Sequence, residues 1–255
     1  MFDGEFRFLD GEKVGDSRVC FTSYPRSGNT FLRRLLEQAT GLATGGNVHL
    51  VTATSLQVQG MKGEQIVDDR VWITKAHYPL IQPWILDFKS NKIIICVRNP
   101  LDVFTSFASL VNTMCHSEQP EFSYSKNFPV WWDWWVRFNA DTHAKYFKTL
   151  LKECAESKVP IHIVRYEDLV TDAKKEMEAV MKFMLDLEDI ADTNCMRRLG
   201  EMAVMGSESG KSYKLKSTTG KFNINAFLFT EDQIKYIKEV NADNLYFLGY
   251  TNHPT

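Results

Sequence analysis

Short apolar runs alternate with longer amphipathic stretches along the chain. The apolar runs are bounded by turn-forming residues and predict buried strands at residues 19–22, 71–74, 92–97 and 161–164. Apolar residues at helical spacing predict helices at residues 31–40, about 84–88, 101–112, 130–157, 171–187, 189–204 and 231–240. Strands that alternate with helices predict an α/β fold, a single domain with a largely parallel central sheet flanked by helices.

The segments between these elements are polar. Residues 1–18 are interrupted by glycine, which predicts an N-terminal arm of a single domain that covers residues 1–255. Residues 42–70, 113–129 and 205–229 lack a regular apolar period and predict loops. Long loops in compact domains are usually functional or mobile.

Composition and charge favour an ordinary globular protein. The 255 residues are 44% hydrophobic and 24% charged, enough to bury a sizeable core. The net charge of −2 gives no sign of nucleic acid or a membrane surface as a partner. The scattered cysteines favour reduced thiols over disulfides or a zinc site. With no apolar leader and no run of about 18 apolar residues, we expect a cytoplasmic protein.

The first predicted strand runs into a tight loop and then a helix. Residues 23–29 read S-Y-P-R-S-G-N and contain the residue types that build tight turns. A helix that begins there directs backbone N–H groups and its positive dipole end at one place, which predicts an anion site. Arg26 adds a guanidinium that matches phosphate or sulfate oxygens, and Ser27, Asn29 and Thr30 add donors. The alternative is an ordinary strand-to-helix turn with a surface arginine.

Polar residues also follow the other predicted strands. The second strand runs into K-A-H-Y-P at residues 75–79, the third into R-N-P at residues 98–100 and the fourth into R-Y-E-D at residues 165–168. Parallel sheets bind ligands at the carboxyl ends of their strands. These segments and the loop at residues 23–29 are therefore expected to share one site.

Four of these segments resemble motifs of the sulfotransferases, in that family's order. Y-P-R-S-G-N-T at residues 24–30 resembles the 5′-phosphosulfate loop, and T-K-A-H-Y-P at residues 74–79 resembles the K-T-H-x-P element. V-R-N-P-L-D-V-F-T-S at residues 97–106 resembles the 3′-phosphate element R-N-x-x-D-x-x-x-S, and R-Y-E-D resembles the family's Y-E-D. The resemblance covers about residues 19–222 and implies a sulfotransferase with a P-loop-like nucleotide site.

The resemblance implies how the donor, 3′-phosphoadenosine 5′-phosphosulfate (PAPS), and its product PAP are held. The 5′-phosphate would take hydrogen bonds from Ser27, Gly28, Asn29 and Thr30. Arg98 and Ser106 would bind the 3′-phosphate, and helical spacing lets Ser106 point back toward Arg98. Phe31 stands where many members stack a tryptophan on adenine, and Tyr166 would line the same pocket. The alternative for Phe31 and Tyr166 is packing in the core.

The resemblance also assigns catalytic roles. His77 would be the general base that removes the acceptor's proton, since an imidazole titrates near neutrality; the alternative is a structural histidine. Arg26 and Lys75 would converge on the transferring sulfonate and stabilise its charge. Arg26 departs from the lysine of the small-molecule enzymes. Because an arginine cannot deliver a proton, its role would be electrostatic.

The C-terminal motif is matched only in part. The family's R-K-G-x-x-G-x-W loop corresponds to L-K-S-T-T-G-K-F at residues 215–222, which keeps Lys216 and Gly220 as candidate 3′-phosphate ligands. The arginine and the first glycine are missing, and Lys214 or Lys221 would have to compensate. The family's dimer motif, K-x-x-x-T-V-x-x-x-E, is not found, so the oligomeric state is left open.

Two other functions fit part of the pattern. A P-loop kinase would use ATP and magnesium, but the sequence has no Gly-Lys-Ser/Thr and no evident cluster of metal ligands, so we expect no metal requirement. A catalytically silent nucleotide-binding protein would not need Lys75 and His77.

The acceptor is expected to be a small molecule with a hydroxyl or an amine. Aromatic residues suggest a partly apolar acceptor pocket; they are Tyr78, Phe104, Phe107, Tyr124 and Trp131. The tryptophans at positions 131, 132, 134 and 135 either pack in the core or line this pocket.

Overall fold

Six parallel strands form one sheet at the centre of the protein. The computed structural model describes residues 6–11, 17–48, 56–57, 60–77, 86–113, 123–205 and 225–250. The strands are β1 (Val19–Ser23), β2 (Gly45–Gly46), β3 (Gly63–Glu64), β4 (Ile73–Ala76), β5 (Lys92–Val97) and β6 (Ile161–Arg165). Their order is β3-β2-β4-β1-β5-β6, and every neighbouring pair is parallel. The predicted α/β fold with a parallel sheet is confirmed.

Helices cover both faces of this sheet. They are α1 (Asn29–Thr40), α2 (Pro100–Thr113), α3 (Tyr124–Asn127), α4 (Pro129–Ser157), α5 (Tyr166–Thr171), α6 (Ala173–Leu185), α7 (Asn194–Met205), α8 (Glu231–Val240) and α9 (Ala242–Phe247). Ile94 of β5 packs in the apolar cluster beneath α1 and α6. The next residue, Ile95, packs in the cluster beneath α2 and α4. Since both faces are covered, the open place for a ligand is the edge where the strands end.

Four predicted helices agree with α1, α2, α4 and α8 to within two residues. The predicted helix at residues 171–187 is wrong at its start, because the backbone of Asp172 is not helical and interrupts it. The Asp172 carboxylate accepts a hydrogen bond from the Lys175 backbone N–H and caps α6 instead.

Other predicted boundaries are also corrected. Helix α7 begins at Asn194 and not at 189, since a turn in which the Thr193 N–H donates to the Ile190 carbonyl precedes it. The short helix α3 lies in the segment that was predicted as a loop at residues 113–129. Residues 86–88 of the helix predicted at about 84–88 are not helical, and residues 84–85 lie outside the described residues.

Strand β4 begins two residues later than predicted. Its pairing with β1 starts where Val19 meets Ile73, so Val71 and Trp72 precede the ladder although both are buried. Lys75 therefore lies inside the strand, and His77 is the first residue after it. The prediction had placed Lys75 beyond the strand, which is wrong, whereas its placement of His77 after the strand is confirmed.

The segment at residues 42–70, predicted as irregular, supplies two strands. β2 and β3 are two residues long and add an edge to the sheet beside β4. Such short strands contain no apolar period, so the pattern could not indicate them. Part of the predicted N-terminal arm also packs on this side, since the Leu9 N–H donates to the Arg70 carbonyl and Leu9 is buried.

Within the ranges given above, no helix combines the length and the apolarity that crossing a bilayer requires.

Candidate active site

The loop after β1 has the shape of an anion site. Helix α1 begins at Asn29, and Gly28 before it has a φ of +99°. Arg26 also has a positive φ, +70°, although it is not a glycine. Such alternating backbone conformations turn successive N–H groups toward one concave space. No acidic residue lies in the first turn of α1 to oppose an anion there.

Ser27 lies at the centre of this loop with an unsatisfied hydroxyl. It is only 1% exposed, and its Oγ has no hydrogen-bond partner in the described part of the chain. Buried hydroxyls in folded proteins almost always have a partner. The loop therefore presents a buried donor where an anion would lie. Thr30, expected from the sequence to add a hydroxyl donor, lies in the first turn of α1.

Position 28 requires a glycine for two reasons, the positive φ of its backbone and the close approach of the Tyr166 side chain. A Cβ atom at this position would lie 2.3 Å from Cδ2 of Tyr166. Tyr166 is buried, and its ring meets Phe31 edge-on at 6.2 Å between centroids. The loop that precedes α1 and the start of α5 thus pack directly on each other.

We expect Gly28→Ala to lower the free energy of unfolding more than Gly11→Ala does. Both glycines have a positive φ, but a Cβ at Gly11 would meet nothing within 4 Å. Backbone strain should cost about 1–2 kcal/mol in each variant, and overpacking against Tyr166 should add about 1–3 kcal/mol in Gly28→Ala only. Urea unfolding of both variants measures the difference. Equal losses would mean that Tyr166 gives way freely and does not fix the loop.

Two arginines, Arg26 and Arg98, are linked by a hydrogen bond at this loop. The Arg98 guanidinium carbon lies 4.4 Å from the centroid of the Tyr166 ring. Arg98 Nη1 also donates to the Arg26 carbonyl at 3.3 Å. Arg26 Nε in turn donates to Ser106 Oγ at 3.0 Å. The structure therefore brings the predicted 5′- and 3′-phosphate residues together. Ser106, however, bonds with Arg26, whereas the sequence predicted that it faces Arg98.

Glu167 holds the loop that carries Arg98. One carboxylate oxygen accepts a hydrogen bond from the Asn99 N–H at 2.9 Å, and the other accepts one from the Tyr250 hydroxyl at 2.8 Å. Burial raises the pKa of Glu167, while these hydrogen bonds act in the opposite direction. Asp168 pairs with Arg165 at 2.6 Å and so orients that basic group.

His77 is fixed in one tautomer by the end of β1. Its Nδ1 lies 2.8 Å from the Ser23 carbonyl oxygen. A carbonyl can only accept, so Nδ1 carries the proton and Nε2 is the basic nitrogen. The Ser23 hydroxyl accepts from Asn29 Nδ2 at 3.0 Å, so one residue contacts both His77 and the start of α1. Sequence reasoning missed Ser23, because its contact with His77 is made by the backbone carbonyl, which every residue type has.

Lys75 is buried in the row of side chains that faces α1. It is 6% exposed. Burial lowers the pKa of its ammonium to about 8; the nearby Glu64 carboxylate opposes this shift, and the Arg33 guanidinium adds to it. Sequence reasoning missed Glu64, which stood in a segment without a pattern. The predicted convergence of Lys75 and Arg26 on one point stays a prediction.

Several residues predicted to line the site pack in the core or lie outside the described residues. Phe31 is 8% exposed within the apolar cluster beneath α1, which favours core packing over adenine stacking. Trp132 and Trp135 are buried, whereas Trp134 is 55% exposed, so this tryptophan run mainly packs the core. Tyr78, Pro79, Lys216 and Gly220 lie outside the described residues. Among the residues that the structure describes, no cluster of potential metal ligands is found.

The chain is similar in sequence to a known family and to several known proteins. The family model described as "Sulfotransferase domain" matches residues 16–248. A WSCD family member of Aedes aegypti is 25% identical over 184 residues, which are 71% of this chain and 53% of that protein. A WSCD family member of Drosophila melanogaster is 26% identical over 168 residues, 65% of this chain and 50% of that protein. A 3-alpha-hydroxysteroid sulfotransferase of Cavia porcellus is 23% identical over 182 residues, 67% of this chain and 60% of that protein.

The chain spans about half the length of the WSCD family relatives that it matches. Among solved structures, a mouse sulfotransferase complexed with PAP matches with a TM-score of 0.55 at 14% identity, over 92% of this chain and 86% of that chain. This match shows a shared fold.

Proposed function

Since the chain belongs to the sulfotransferase domain family, we propose that it transfers a sulfonate group from PAPS to a hydroxyl or an amine of a small-molecule acceptor. The observation that carries the proposal is the buried, unpartnered hydroxyl of Ser27 in a loop that opens a helix. A helix N-terminus with a free buried donor and two nearby guanidinium groups is suited to an anionic donor.

The residues present fit both phosphates of PAPS. The 5′-phosphosulfate would lie against the N–H groups at the start of α1, with Ser27 and Thr30 as hydroxyl donors. Arg98, held over Tyr166, and Ser106 would bind the 3′-phosphate. Arg26 is linked to both proposed 3′-phosphate ligands, because its Nε donates to Ser106 Oγ and its carbonyl accepts from Arg98.

His77 would take the acceptor's proton on Nε2. The Ser23 carbonyl holds the ring through Nδ1 and stabilises the imidazolium that forms. Arg26 and Lys75 would stabilise the negative charge that develops on the leaving phosphate as the bond from sulfur to its oxygen breaks. A new bond from sulfur to the acceptor oxygen or nitrogen forms in the same step.

The direct test is label transfer from [³⁵S]PAPS to a panel of phenols, alcohols and amines, in excess EDTA. Labelled product in EDTA supports the proposal. If no acceptor is labelled, while [γ-³²P]ATP with magnesium labels one, the protein is a kinase and the proposal is wrong. If neither donor labels any acceptor although PAP binds, a silent nucleotide-binding protein replaces it.

We expect the protein to bind PAP more tightly than AMP, because only PAP carries the 3′-phosphate that Arg98 would bind. Thermal unfolding with each nucleotide measures this, since ligands that bind the folded state stabilise it by mass action. Arg98→Ala should weaken PAP binding about 10–100-fold, the loss of a charge-assisted hydrogen bond. AMP binding should change much less.

Arg137→Ala is the matched control for this experiment. Arg137 also stacks on a tyrosine, with 4.8 Å between its guanidinium carbon and the Tyr236 ring centroid, but it pairs with Asp133 and Asp232. Its loss should leave both nucleotide affinities unchanged. Equal stabilisation of the wild type by AMP and PAP would overturn the assignment of Arg98 to a 3′-phosphate.

A further inference from the structure

Glu64 and Lys75 occupy one row of the sheet with a glycine between them. Gly46 of β2 is in register with Glu64 of β3 on one side and with Lys75 of β4 on the other. Partners in register across parallel strands project to the same face. A Cβ atom at Gly46 would lie 2.5 Å from Glu64 Oε2. The Glu64 carboxylate therefore lies over Gly46, in the space that separates it from Lys75.

The Glu64 carboxylate is held at one oxygen only. The residue is 2% exposed, and Oε1 pairs with Arg33 Nη1. Arg33 is itself fixed by Thr44, since its Nε donates to Thr44 Oγ1 at 2.6 Å and its Nη2 to the Thr44 carbonyl at 2.7 Å. The other oxygen, Oε2, has no hydrogen-bond partner among the described residues. A buried charged oxygen without a partner is costly, so its position indicates a role.

Lys75 is the cation that Glu64 Oε2 faces across Gly46. Within the described residues, its ammonium forms no ion pair shorter than 4 Å, so the two groups act on each other through space. Arg33 of α1 is the other charge that acts on Lys75, and it opposes the ammonium. Glu37 and Arg34, further along α1, pair with each other at 3.5 Å. His77 lies at the end of the same strand.

We propose that Glu64 is a positioning residue that keeps Lys75 in its charged form before the anionic donor binds. The proposal rests on the proposed function, because the charge of Lys75 has a role only if the protein transfers sulfonate. Without Glu64, burial and Arg33 act together on the ammonium and favour its neutral form near neutral pH. Gly46 makes the coupling possible, since any side chain there would displace the carboxylate.

Titration of Lys75 by NMR tests this directly and needs no activity. Protein labelled with ¹³C and ¹⁵N in lysine gives a Cε–Nζ signal for Lys75, identified by its absence in Lys75→Arg. The midpoint should lie near the pKa of about 8 in the wild type. In Glu64→Gln it should fall by about one pH unit or more, because the stabilising charge is removed. Glu37→Gln is the matched control: it removes a buried carboxylate of α1 that bonds with Thr44, and should leave the midpoint in place.

Glu64→Asp covers the case in which Glu64→Gln does not fold. It keeps the charge and the partner of Arg33 but draws the carboxylate back, so the midpoint should fall by a smaller amount. An unchanged midpoint in a folded Glu64→Gln or Glu64→Asp protein overturns the proposal.

The alkaline limb of kcat/KM gives a second readout. If Lys75 must be charged in the free enzyme, this limb should move to lower pH in Glu64→Gln and disappear in Lys75→Arg. A protein that transfers no sulfonate but shows the shifted midpoint supports the coupling and overturns the proposed function. A protein that transfers sulfonate with an unshifted midpoint supports the function and overturns the coupling.

Discussion

Replacing His77 by alanine is expected to lower turnover by about 10²–10⁴-fold, the usual contribution of a general base. Affinity for PAP should stay nearly unchanged, because the proposed phosphate ligands are on other segments. The physical reason is the tautomer: the Ser23 carbonyl fixes the proton on Nδ1 and makes Nε2 the proton acceptor. Steady-state turnover on a hydroxyl acceptor, together with PAP binding, measures both quantities.

His77→Asn separates the base from the hydrogen bond. An asparagine can still donate to the Ser23 carbonyl, but its amide cannot take up a proton at working pH. It should therefore fold like the wild type and stay slow. In the wild type, activity should fall on the acid side as the imidazole is protonated, and this limb should be absent in both variants. Near wild-type turnover of a folded His77→Ala protein on a hydroxyl would show that His77 is structural.

Replacing Arg26 by glycine is expected to lower turnover by about 10²–10³-fold, as for other losses of one group that stabilises charge in a transition state. The free energy of unfolding should change little, because Arg26 has a φ of +70°. Glycine adopts this conformation without strain, which offsets the lost bond to Ser106. Turnover and urea unfolding on the same preparation test both statements.

Arg26→Lys is the control for charge. It keeps a cation but loses the fork that reaches Ser106. Turnover between that of the wild type and that of Arg26→Gly is expected. A wild-type rate in Arg26→Gly would place the charge stabilisation elsewhere; among the described residues, Lys75 and Arg98 are the other candidate cations.

The sequence predicts those elements and site residues that have a local residue pattern. The first strand, its loop and α1 follow from an apolar run, turn residues and helical spacing at residues 19–41. β5 agrees with its prediction, because the five residues after Lys92 form a continuous apolar run, as a strand covered on both faces does. His77, Arg98 and Ser106 could be singled out because motifs name them at strand ends and helix starts.

Other features depend on contacts that a local pattern does not carry. The partner of Ser106 depends on the backbone of Arg26, whose positive φ directs the side chain, and no residue spacing encodes that. Glu64 lies beside Lys75 only because Gly46 separates their strands without a side chain. The break at Asp172 had a local signal, a capping residue, but the apolar period on both sides of it outweighed that signal.

The contact of Glu167 with both Asn99 and Tyr250 has a consequence for how the protein folds. Its two hydrogen bonds join segments that are far apart in the chain. Loops of such length close late, because their ends must wait for the rest of the chain to collapse. We therefore expect the segment that carries Arg98 to reach its final form late in folding, after the segments that contain Glu167 and Tyr250 have come together. If the chain binds PAP as proposed, a partly folded chain that lacks these contacts should not bind it, and PAP binding would then report completed folding.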